Sequence, residues 1–201
     1  MPADERREQL LDAALDVALE RGFHAVSVDA VARACGVTRP VVYGLFADRG
    51  ALLTALVDRQ EARALGQLAG VFPPVPGPGE TADPDDLLLR GVEAYLTAVA
   101  ADPRTWRVIL LPPEGVPAEL VDRVTAGRAV MLGHLQALTD WGLTARGGPD
   151  LDPDLFARAV LALSEAAARL LLDDPAHFAV TSFTLFTRTA LAALRPGPPP
   201  S

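Results

Sequence analysis

The stretch that decides the fold is residues 22–53, GFHAVSVDAVARACGVTRPVVYGLFADRGALL. It holds two short helical patterns joined by a corner at Gly36. Ser27 is a favourable N-cap for the first pattern, in which Val28 and Val31 have the spacing of one helix face. Glycine enters the left-handed backbone conformation without steric cost, so Gly36 is expected to end that helix. Two short helices joined in this way predict a helix-turn-helix, a layout that places its second helix in the major groove of DNA.

The second helix of the pair carries the side chains expected to read DNA. Thr38 is expected to cap it, and Pro40 lies in its first turn, where a missing N–H is harmless. Val42 and Phe46, four residues apart, are expected to pack inward. The outer face then consists of Thr38, Arg39, Val41 and Tyr43. An arginine fork can bind O6 and N7 of guanine, an aliphatic side chain can contact a thymine methyl group, and a hydroxyl can bind a phosphate.

The helix that follows is expected to begin at Arg49, with Asp48 as its N-cap, and to bury Leu52 and Leu53. Its N-terminus should lie beside the DNA backbone. Arg49 and the helix dipole would both favour a phosphate at that position.

These residues, in this register, resemble the N-terminal domain of the tetracycline-repressor (TetR) family of bacterial transcriptional regulators. The resemblance runs from about Arg6 to Leu56 and rests on the glycines, helix caps and aromatic residues of the quoted stretch. It implies a homodimer in which one recognition helix per subunit reads a palindromic operator in double-stranded DNA. It also implies a larger helical domain that binds a small-molecule effector.

The resemblance also implies the roles of individual residues. It makes Thr38, Arg39, Val41 and Tyr43 the DNA-facing side chains and makes Ser27 and Arg49 phosphate contacts. With the positive charge of Arg33 added, the expected DNA-binding set is Ser27, Arg33, Thr38, Arg39, Val41, Tyr43 and Arg49. Two positions depart from the family pattern. Leu45 stands where a polar aromatic or imidazole side chain is frequent, which weakens one expected contact, and Arg49-Gly50 replaces a common lysine-glutamate pair while keeping the positive charge.

The composition limits the kind of DNA binding that is possible. The formal net charge of −8 argues against a protein that coats nucleic acid without specificity. The charge is unevenly distributed, however. Between residues 21 and 49 there are four arginines and two aspartates, a local excess of +2: Arg21, Arg33, Arg39 and Arg49 against Asp29 and Asp48. At 201 residues, half of them hydrophobic, the chain suits one small DNA-binding domain and one larger domain.

The sequence lacks the patterns of a membrane protein, an exported protein, a disulfide-bonded protein and a metal-binding protein. It has no apolar run long enough to span a membrane and no hydrophobic signal core near its start, so a cytoplasmic protein with no membrane association is expected. Its single cysteine cannot form an internal disulfide. The three histidines are far apart in sequence and there is no C-x-x-C pair, so neither a metal site nor a cofactor is expected.

The rest of the chain predicts further helices. The helix from Arg49 should reach about Ala69, and a proline- and glycine-rich segment should follow it. Further helices are expected to open at Asp83-Pro84, Asp102-Pro103, Asp152-Pro153 and Asp174-Pro175, with a long helix from about Pro117 to Trp141 before the last two. The fold class is therefore all-α, with about nine helices: a three-helix DNA-binding domain at residues 1–48, an effector-binding and dimerisation domain at residues 49–195 and a disordered tail at residues 196–201.

The last two helices are expected to form the dimer interface. Each is apolar over more than one stripe, for example at Leu163 and Leu170 on the first and at Phe183 and Phe186 on the second. Helices of this kind need more partner surface than one domain supplies. A four-helix bundle with a second copy would supply it, as the resemblance implies.

An effector pocket is expected between the other helices of the larger domain. Its aromatic and sulfur-bearing lining would be Tyr95, Trp106, Met131 and Trp141, with Arg107 and His134 as the polar groups that orient a ligand. An apolar cavity with few polar groups is the usual form of a small-molecule site. We therefore expect a hydrophobic or aromatic effector and a repressor that this effector releases from DNA.

Two other classes of function compete with this interpretation. An enzyme is disfavoured because the chain has no G-x-S-x-G elbow, phosphate-binding loop or zinc-helix motif, and no catalytic residues are predicted. A helical adaptor that binds protein through its N-terminal unit is also possible. Arg39, Tyr43 and Arg49 beside capped helix starts favour phosphate over a protein groove, and a salt-dependent binding assay distinguishes the two classes.

Overall fold

The computed structural model describes residues 2–69, 73–77, 80–112, 115, 118–146 and 151–193. Within these ranges all regular secondary structure is helical, in agreement with the predicted fold class. The α-helices are α1 (Ala3–Arg21), α2 (Val28–Ala34), α3 (Arg39–Tyr43), α4 (Arg49–Leu68), α5 (Pro84–Ala101), α6 (Pro103–Leu110), α7 (Ala118–Arg146), α8 (Pro153–Asp173) and α9 (Val180–Ala193), with a 3-10 turn at Phe23–Ala25. No helix in the described part of the chain is both long enough and apolar enough to cross a lipid bilayer. The disordered tail expected at residues 196–201 lies outside the described residues.

The chain forms two compact units. Unit 1 comprises Met1–Gly66 and Arg104–Thr125, and unit 2 comprises Gln67–Pro103 and Ala126–Ser201. Unit 1 is thus larger than the DNA-binding domain of residues 1–48 that the sequence predicts. The reason is that Leu52 and Leu56 of α4 and Val108 of α6 are buried in the same hydrophobic core as α1 to α3.

The core of unit 1 fixes the position of two very short helices. α2 has 7 residues and α3 has 5, and helices of this length do not form on their own in water. Their buried residues, among them Val31, Val42 and the adjacent Phe46, join a core that also holds residues from α1 and α4. The two helices are therefore held by tertiary packing rather than by intrinsic helix stability.

Polar side chains connect the longer helices of unit 1. Arg59 of α4 is almost fully buried and forms ion pairs with Glu8 and Asp12 of α1, at 3.2 and 2.8 Å. The Thr105 hydroxyl of α6 and the Gln60 side chain of α4 form a buried hydrogen bond of 2.8 Å. Breaking either contact would leave a buried polar group without its partner, a cost of about 1–3 kcal/mol, so α4 is well fixed to α1 and α6.

Unit 2 is built around α5, which contacts both α8 and α9. Asp83 caps α5 through the N–H of Asp85, and Asp152 caps α8 through the N–H groups of Asp154 and Leu155. The helix starts predicted at Asp83-Pro84, Asp102-Pro103 and Asp152-Pro153 are confirmed, since α5, α6 and α8 each begin at the proline.

Two predicted helix boundaries in unit 2 are wrong. α9 begins at Val180 rather than at Asp174-Pro175. The carboxylate of Asp174 accepts a hydrogen bond from the N–H of His177, and its carbonyl accepts one from the N–H of Phe178, which closes a separate turn before α9. α7 continues to Arg146 instead of ending near Trp141.

Candidate DNA-binding surface and effector cleft

The corner between α2 and α3 has the geometry that the sequence predicts. The Ser27 hydroxyl accepts a hydrogen bond of 3.1 Å from the N–H of Ala30 and so caps α2. Gly36 has a φ of 65°, in the left-handed region where a side chain would be strained. The next N–H, that of Val37, donates to the carbonyl of Ala32 at 2.9 Å. This hydrogen bond closes the end of α2 and directs the chain into α3.

The outer face of α3 is exposed and its inner face is buried. Val42 is fully buried and Phe46 is 3% exposed, whereas Val41 and Tyr43 are 38% and 54% exposed. The structure therefore leaves the expected base-reading positions accessible.

Thr38 occupies the N-cap position of α3 but does not cap it in the expected way. Its hydroxyl makes no capping hydrogen bond to any residue that the structure describes. Pro40 in the first turn removes one of the N–H groups that a cap would satisfy. The hydroxyl is exposed at the start of the recognition helix, where a phosphate could bind it.

Arg39 is already paired within the protein. Its guanidinium forms an ion pair with the carboxylate of Asp29 on α2, and both side chains remain largely exposed. Sequence reasoning did not single out Asp29, although its position in the first turn of α2, ten residues before Arg39, is visible in the sequence. The carboxylate orients the arginine fork across the face that DNA would contact.

Arg49 is held by backbone carbonyl groups at the start of α4. Its Nε donates to the carbonyl of Val26 at 2.7 Å, and its Nη2 donates to the carbonyl of Phe23 at 2.9 Å. Asp48 caps the same helix, as predicted, because its Oδ1 accepts a 2.8 Å hydrogen bond from the N–H of Ala51. The guanidinium of Arg49 thus fixes the 3-10 turn before α2, a role that the sequence pattern did not reveal.

The two departures from the family pattern have local explanations. Leu45 is half-buried and packs against the core of unit 1, so a leucine there extends the core at the expense of a polar contact. A Cβ atom at Gly50 would lie 3.1 Å from Oδ1 of Asp48, close enough to disturb the cap of α4. Arg33, the remaining residue of the expected DNA-binding set, is exposed on α2.

The side chains expected to line one effector pocket are distributed over both units. Trp106 and Arg107 lie on α6 in unit 1, and Trp106 is 2% exposed. In unit 2, Tyr95 and Met131 line a narrow cleft of about 20 Å³, and Trp141 lines another of about 40 Å³. Nε2 of His134 lies 3.0 Å from the carbonyl oxygen of Pro73. The structure thus brings Tyr95 and Met131 together but does not group the predicted residues around a single described cavity.

A much larger cleft lies in unit 2 between α8 and α9. Its volume is about 490 Å³, and Leu88 and Val92 of α5 contribute to its lining. Apolar residues of α8 and α9 and of the turn between them form most of the rest: Phe156, Val160, Leu163, Ala166, Ala167, Leu170, Phe178, Phe183, Phe186, Ala190 and Leu191. The remaining lining residues carry hydroxyl groups: Ser164, Ser182 and Thr187. The sequence predicted these helices as apolar surfaces for a second copy and did not indicate a cleft between them.

A buried carboxylate lies next to this cleft in the sequence of α8. Glu165 is 8% exposed and pairs with Arg128 of α7 at 2.7 Å and with Arg169 one turn along α8 at 3.5 Å. Burial raises the pKa of the Tyr95 hydroxyl far above its usual range, and the negative charge of Glu165 adds to the effect. Tyr95 is therefore a neutral hydrogen-bonding group at physiological pH.

The known proteins to which this chain is similar are bacterial transcriptional regulators. Residues 10–56 match the family described as bacterial regulatory proteins, tetR family. The HTH-type transcriptional activator FasR of Mycolicibacterium smegmatis is 32% identical over 109 residues, which are 54% of this chain and 47% of FasR. The HTH-type transcriptional regulator EthR of the same organism is 29% identical over 104 residues, 52% of this chain and 46% of EthR. The chain thus spans about half the length of the curated relatives it matches.

Solved structures also resemble this chain over most of its length, and one example shows the extent of the similarity. A TetR-like transcriptional regulator from Rhodococcus sp. RHA1 superposes with a TM-score of 0.74 at 25% sequence identity. The match covers 96% of this chain and 98% of the other. The similarity therefore extends well beyond the helix-turn-helix, into the helices that follow it.

Proposed function

We propose that the chain, whose residues 10–56 match the TetR family of bacterial regulatory proteins, is a transcriptional repressor of that family that binds a palindromic operator as a homodimer and is released by a small hydrophobic effector. The observation that carries this proposal is the exposed outer face of α3 on a core-fixed helix-turn-helix. Such a protein acts on chromosomal DNA and therefore works in the cytoplasm.

The proposed DNA contacts divide into base-reading and backbone-binding residues. Arg39 exchanges the carboxylate of Asp29 for the O6 and N7 atoms of a guanine, and Val41 and Tyr43 contact the neighbouring bases. Ser27, Arg33 and Thr38 bind phosphates on either side of the groove. Arg49 acts mainly by holding the 3-10 turn, and its charge adds to the attraction of the DNA backbone.

The exposed apolar residues of α8 and α9 support the homodimer. Leu155, Leu163 and Leu170 of α8 are 67%, 64% and 41% exposed, and Leu185 and Phe186 of α9 are each 66% exposed. Apolar surface of this extent is unfavourable in water and marks an interaction site. In a two-fold symmetric dimer the same patch of each subunit contacts its copy on the other. One substitution therefore changes both sides of the interface.

Effector control follows from a shift between two conformations of the dimer. A ligand changes the DNA affinity only if it binds the two conformations with different affinity. In the proposed mechanism the effector binds unit 2 and favours a conformation in which the two α3 helices no longer match successive major grooves. Release is then a consequence of altered spacing, with the α3 face itself unchanged.

A reporter experiment tests the regulatory role. The operator is placed over a promoter in a bacterial host that expresses the protein, and transcription is measured with and without the protein. Repression that is abolished by Arg39→Ala is the expected result. Activation is the outcome suggested by the similarity to FasR, a transcriptional activator, and it would overturn the repressor assignment while retaining operator binding. Absence of any operator-dependent effect would contradict a regulatory function altogether.

A further inference from the structure

We propose that α7 contains a hinge at residues 125–127 and that bending at this hinge is the movement that takes α3 from its position on the operator. This inference rests on the proposed function, because it names the place in this chain where the two conformations of the dimer differ.

The chain passes from one compact unit to the other after Gly66, Pro103 and Thr125. The first of these crossings lies near the end of α4, which stops at Leu68, and the second lies at the first residue of α6. The third lies well inside α7, which has 29 residues and continues to Arg146. Long helices bend sharply only where a local feature permits it, so α7 resists movement of the units unless it contains such a feature.

The first turns of α7 are fixed within unit 1. The guanidinium of Arg123 forms ion pairs with the carboxylates of Asp58 and Glu61 on α4, and the pair with Glu61 has a distance of 2.9 Å. Val124 packs against the hydrophobic core of the same unit. These contacts hold α7 to α4 immediately before the crossing.

The part of α7 after the crossing is fixed within unit 2. Arg128 forms an ion pair of 2.7 Å with Glu165 of α8, whose side chain is almost fully buried. Met131 and Leu132 pack against the hydrophobic cluster that contains Leu135. Residues 125–127 therefore lie between contacts that belong to unit 1 and contacts that belong to unit 2.

These three residues also weaken the helix itself. Glycine favours a helix less than any residue except proline, and Gly127 lies in the interior of α7. The hydroxyl of Thr125 donates a 2.8 Å hydrogen bond to the carbonyl of Val121, and a bond of this kind to the preceding turn often bends a helix. Both effects act on the same turn of α7.

Packing does not account for the glycine at position 127. A Cβ atom there would meet no atom of the described residues within 4 Å outside the adjacent turns of its own helix. Gly142 of the same helix differs, because a Cβ atom there would lie 3.2 Å from Cβ of Pro84 on α5. Alanine would fit at position 127 and would favour the helix. Gly127 thus makes α7 less stiff without permitting a close contact.

Gly133 is a matched comparison within α7. A Cβ atom at Gly133 would also meet no neighbouring atom of the described residues within 4 Å. Leu132 and Leu135 on either side of it pack in the same cluster of unit 2. Bending at Gly133 would separate contacts within one unit, whereas bending at residues 125–127 would leave the contacts of Arg123 and Arg128 intact.

The contacts of α4 connect the hinge with the DNA-binding motif. Arg123 is tied to α4, and α4 begins with Arg49, which holds the 3-10 turn before α2. Unit 1 therefore moves as one body when α7 bends, and it carries α3 with it. An effector changes the population of the bent form only if it binds the bent and straight forms with different affinity.

Distances between two spin labels test the hinge without DNA or effector. One protein carries labelled cysteines introduced by Asp122→Cys and Ala137→Cys, at exposed positions on either side of residues 125–127. A second carries them at Ala129 and Thr144, which are equally far apart in α7 but do not span these residues. Cys35→Ala removes the native thiol from both proteins. At 1.5 Å per residue each pair is roughly 22 Å apart along a straight helix, and an excess of unlabelled protein suppresses distances between subunits.

We expect a broader distance distribution for the labels at residues 122 and 137 than for those at 129 and 144. Gly127→Ala should narrow the broader distribution, and Gly133→Ala should leave it nearly unchanged. Equal widths for the two pairs would overturn the hinge. So would a width that Gly127→Ala does not reduce, or one that Gly133→Ala reduces by as much.

Operator affinity tests whether the hinge serves DNA binding. The operator is compared with a version in which the half-sites are moved apart by one base pair. We expect Gly127→Ala to lose several-fold more affinity for the altered operator than the unmodified protein and Gly133→Ala lose. Equal losses in all three proteins would overturn the role of the hinge in positioning α3. If the unmodified protein binds no operator, the proposed function fails, and the label distances still decide whether α7 bends.

Discussion

Arg39 of α3 and Asp29 of α2 form an ion pair, which Arg39 would have to leave in order to bind a base as we propose. Because both side chains are largely exposed, the pair contributes little to folding stability. Its effect is to hold the arginine fork in one orientation and to reduce the positive charge that DNA meets. We therefore expect the carboxylate to favour DNA sequences that offer Arg39 a better partner.

Asp29→Asn should increase DNA binding and lower its selectivity. We expect tighter binding to duplexes of unrelated sequence and a salt dependence steeper by about one unit, because one repelling charge is removed. Fluorescence anisotropy over a range of salt concentrations measures both. Asp29→Glu keeps the charge and should remain close to the unmodified protein. A lower affinity of Asp29→Asn for all duplexes would show that Asp29 only supports the fold of α2.

Arg49→Ala should act mainly on stability. The substitution removes two charge-assisted hydrogen bonds to the carbonyls of Val26 and Phe23, and we expect a loss of about 1–3 kcal/mol in the free energy of unfolding. Arg49→Lys should not restore it, because one ammonium cannot reproduce the fork geometry. Urea denaturation measures the change. Unaltered stability together with a salt dependence reduced by about one unit would instead identify Arg49 as a phosphate contact.

At the level of helices, three of the four Asp-Pro pairs correctly predicted where a helix begins, and the prediction from the fourth pair was wrong. Asp152 caps α8 directly, but Asp174 closes a turn that ends before Val180. The pair determines only the first turn, and continuation into a helix depends on packing that the local sequence does not specify. The predicted inner and outer faces of α3 are confirmed. Val42 and Phe46 are buried whereas Val41 and Tyr43 are exposed, and this periodic pattern is visible in the sequence.

The exposed face of α9 allows a direct test of the dimer. Phe186→Glu introduces a charge into the apolar patch, and the protein should sediment as a monomer at micromolar concentration with strongly reduced operator affinity. Val130→Glu adds the same charge to a residue of α7 that is 76% exposed and lies outside the patch on α8 and α9, and it should leave the dimer intact. Dimers that persist in Phe186→Glu would exclude this face as the interface.

Across the whole molecule, the fold class and the exposed outer face of α3 could be predicted from the sequence, whereas the positions of Trp106 and of the cleft between α8 and α9 could not. Helix caps, glycines and apolar spacing act over a few residues, so they determine the helix-turn-helix locally. Trp106 shows the limit of such reasoning, because it belongs to unit 1 whereas Tyr95 and Met131 belong to unit 2. Which core a helix joins, and where a cleft remains, depends on contacts between residues far apart in sequence.

We propose that this chain recognises a specific operator through α3 despite a net charge of −8. Selection of bound duplexes from a random pool, followed by sequencing, tests it most directly. We expect an inverted repeat with half-sites about 10 base pairs apart or a multiple of that spacing. Arg39→Ala should lose the preference at one base pair in each half-site, at a cost of about 1–3 kcal/mol for the selected site. Recovery of no enriched sequence, or of the same sequences with equal affinity after Arg39→Ala, would contradict the account.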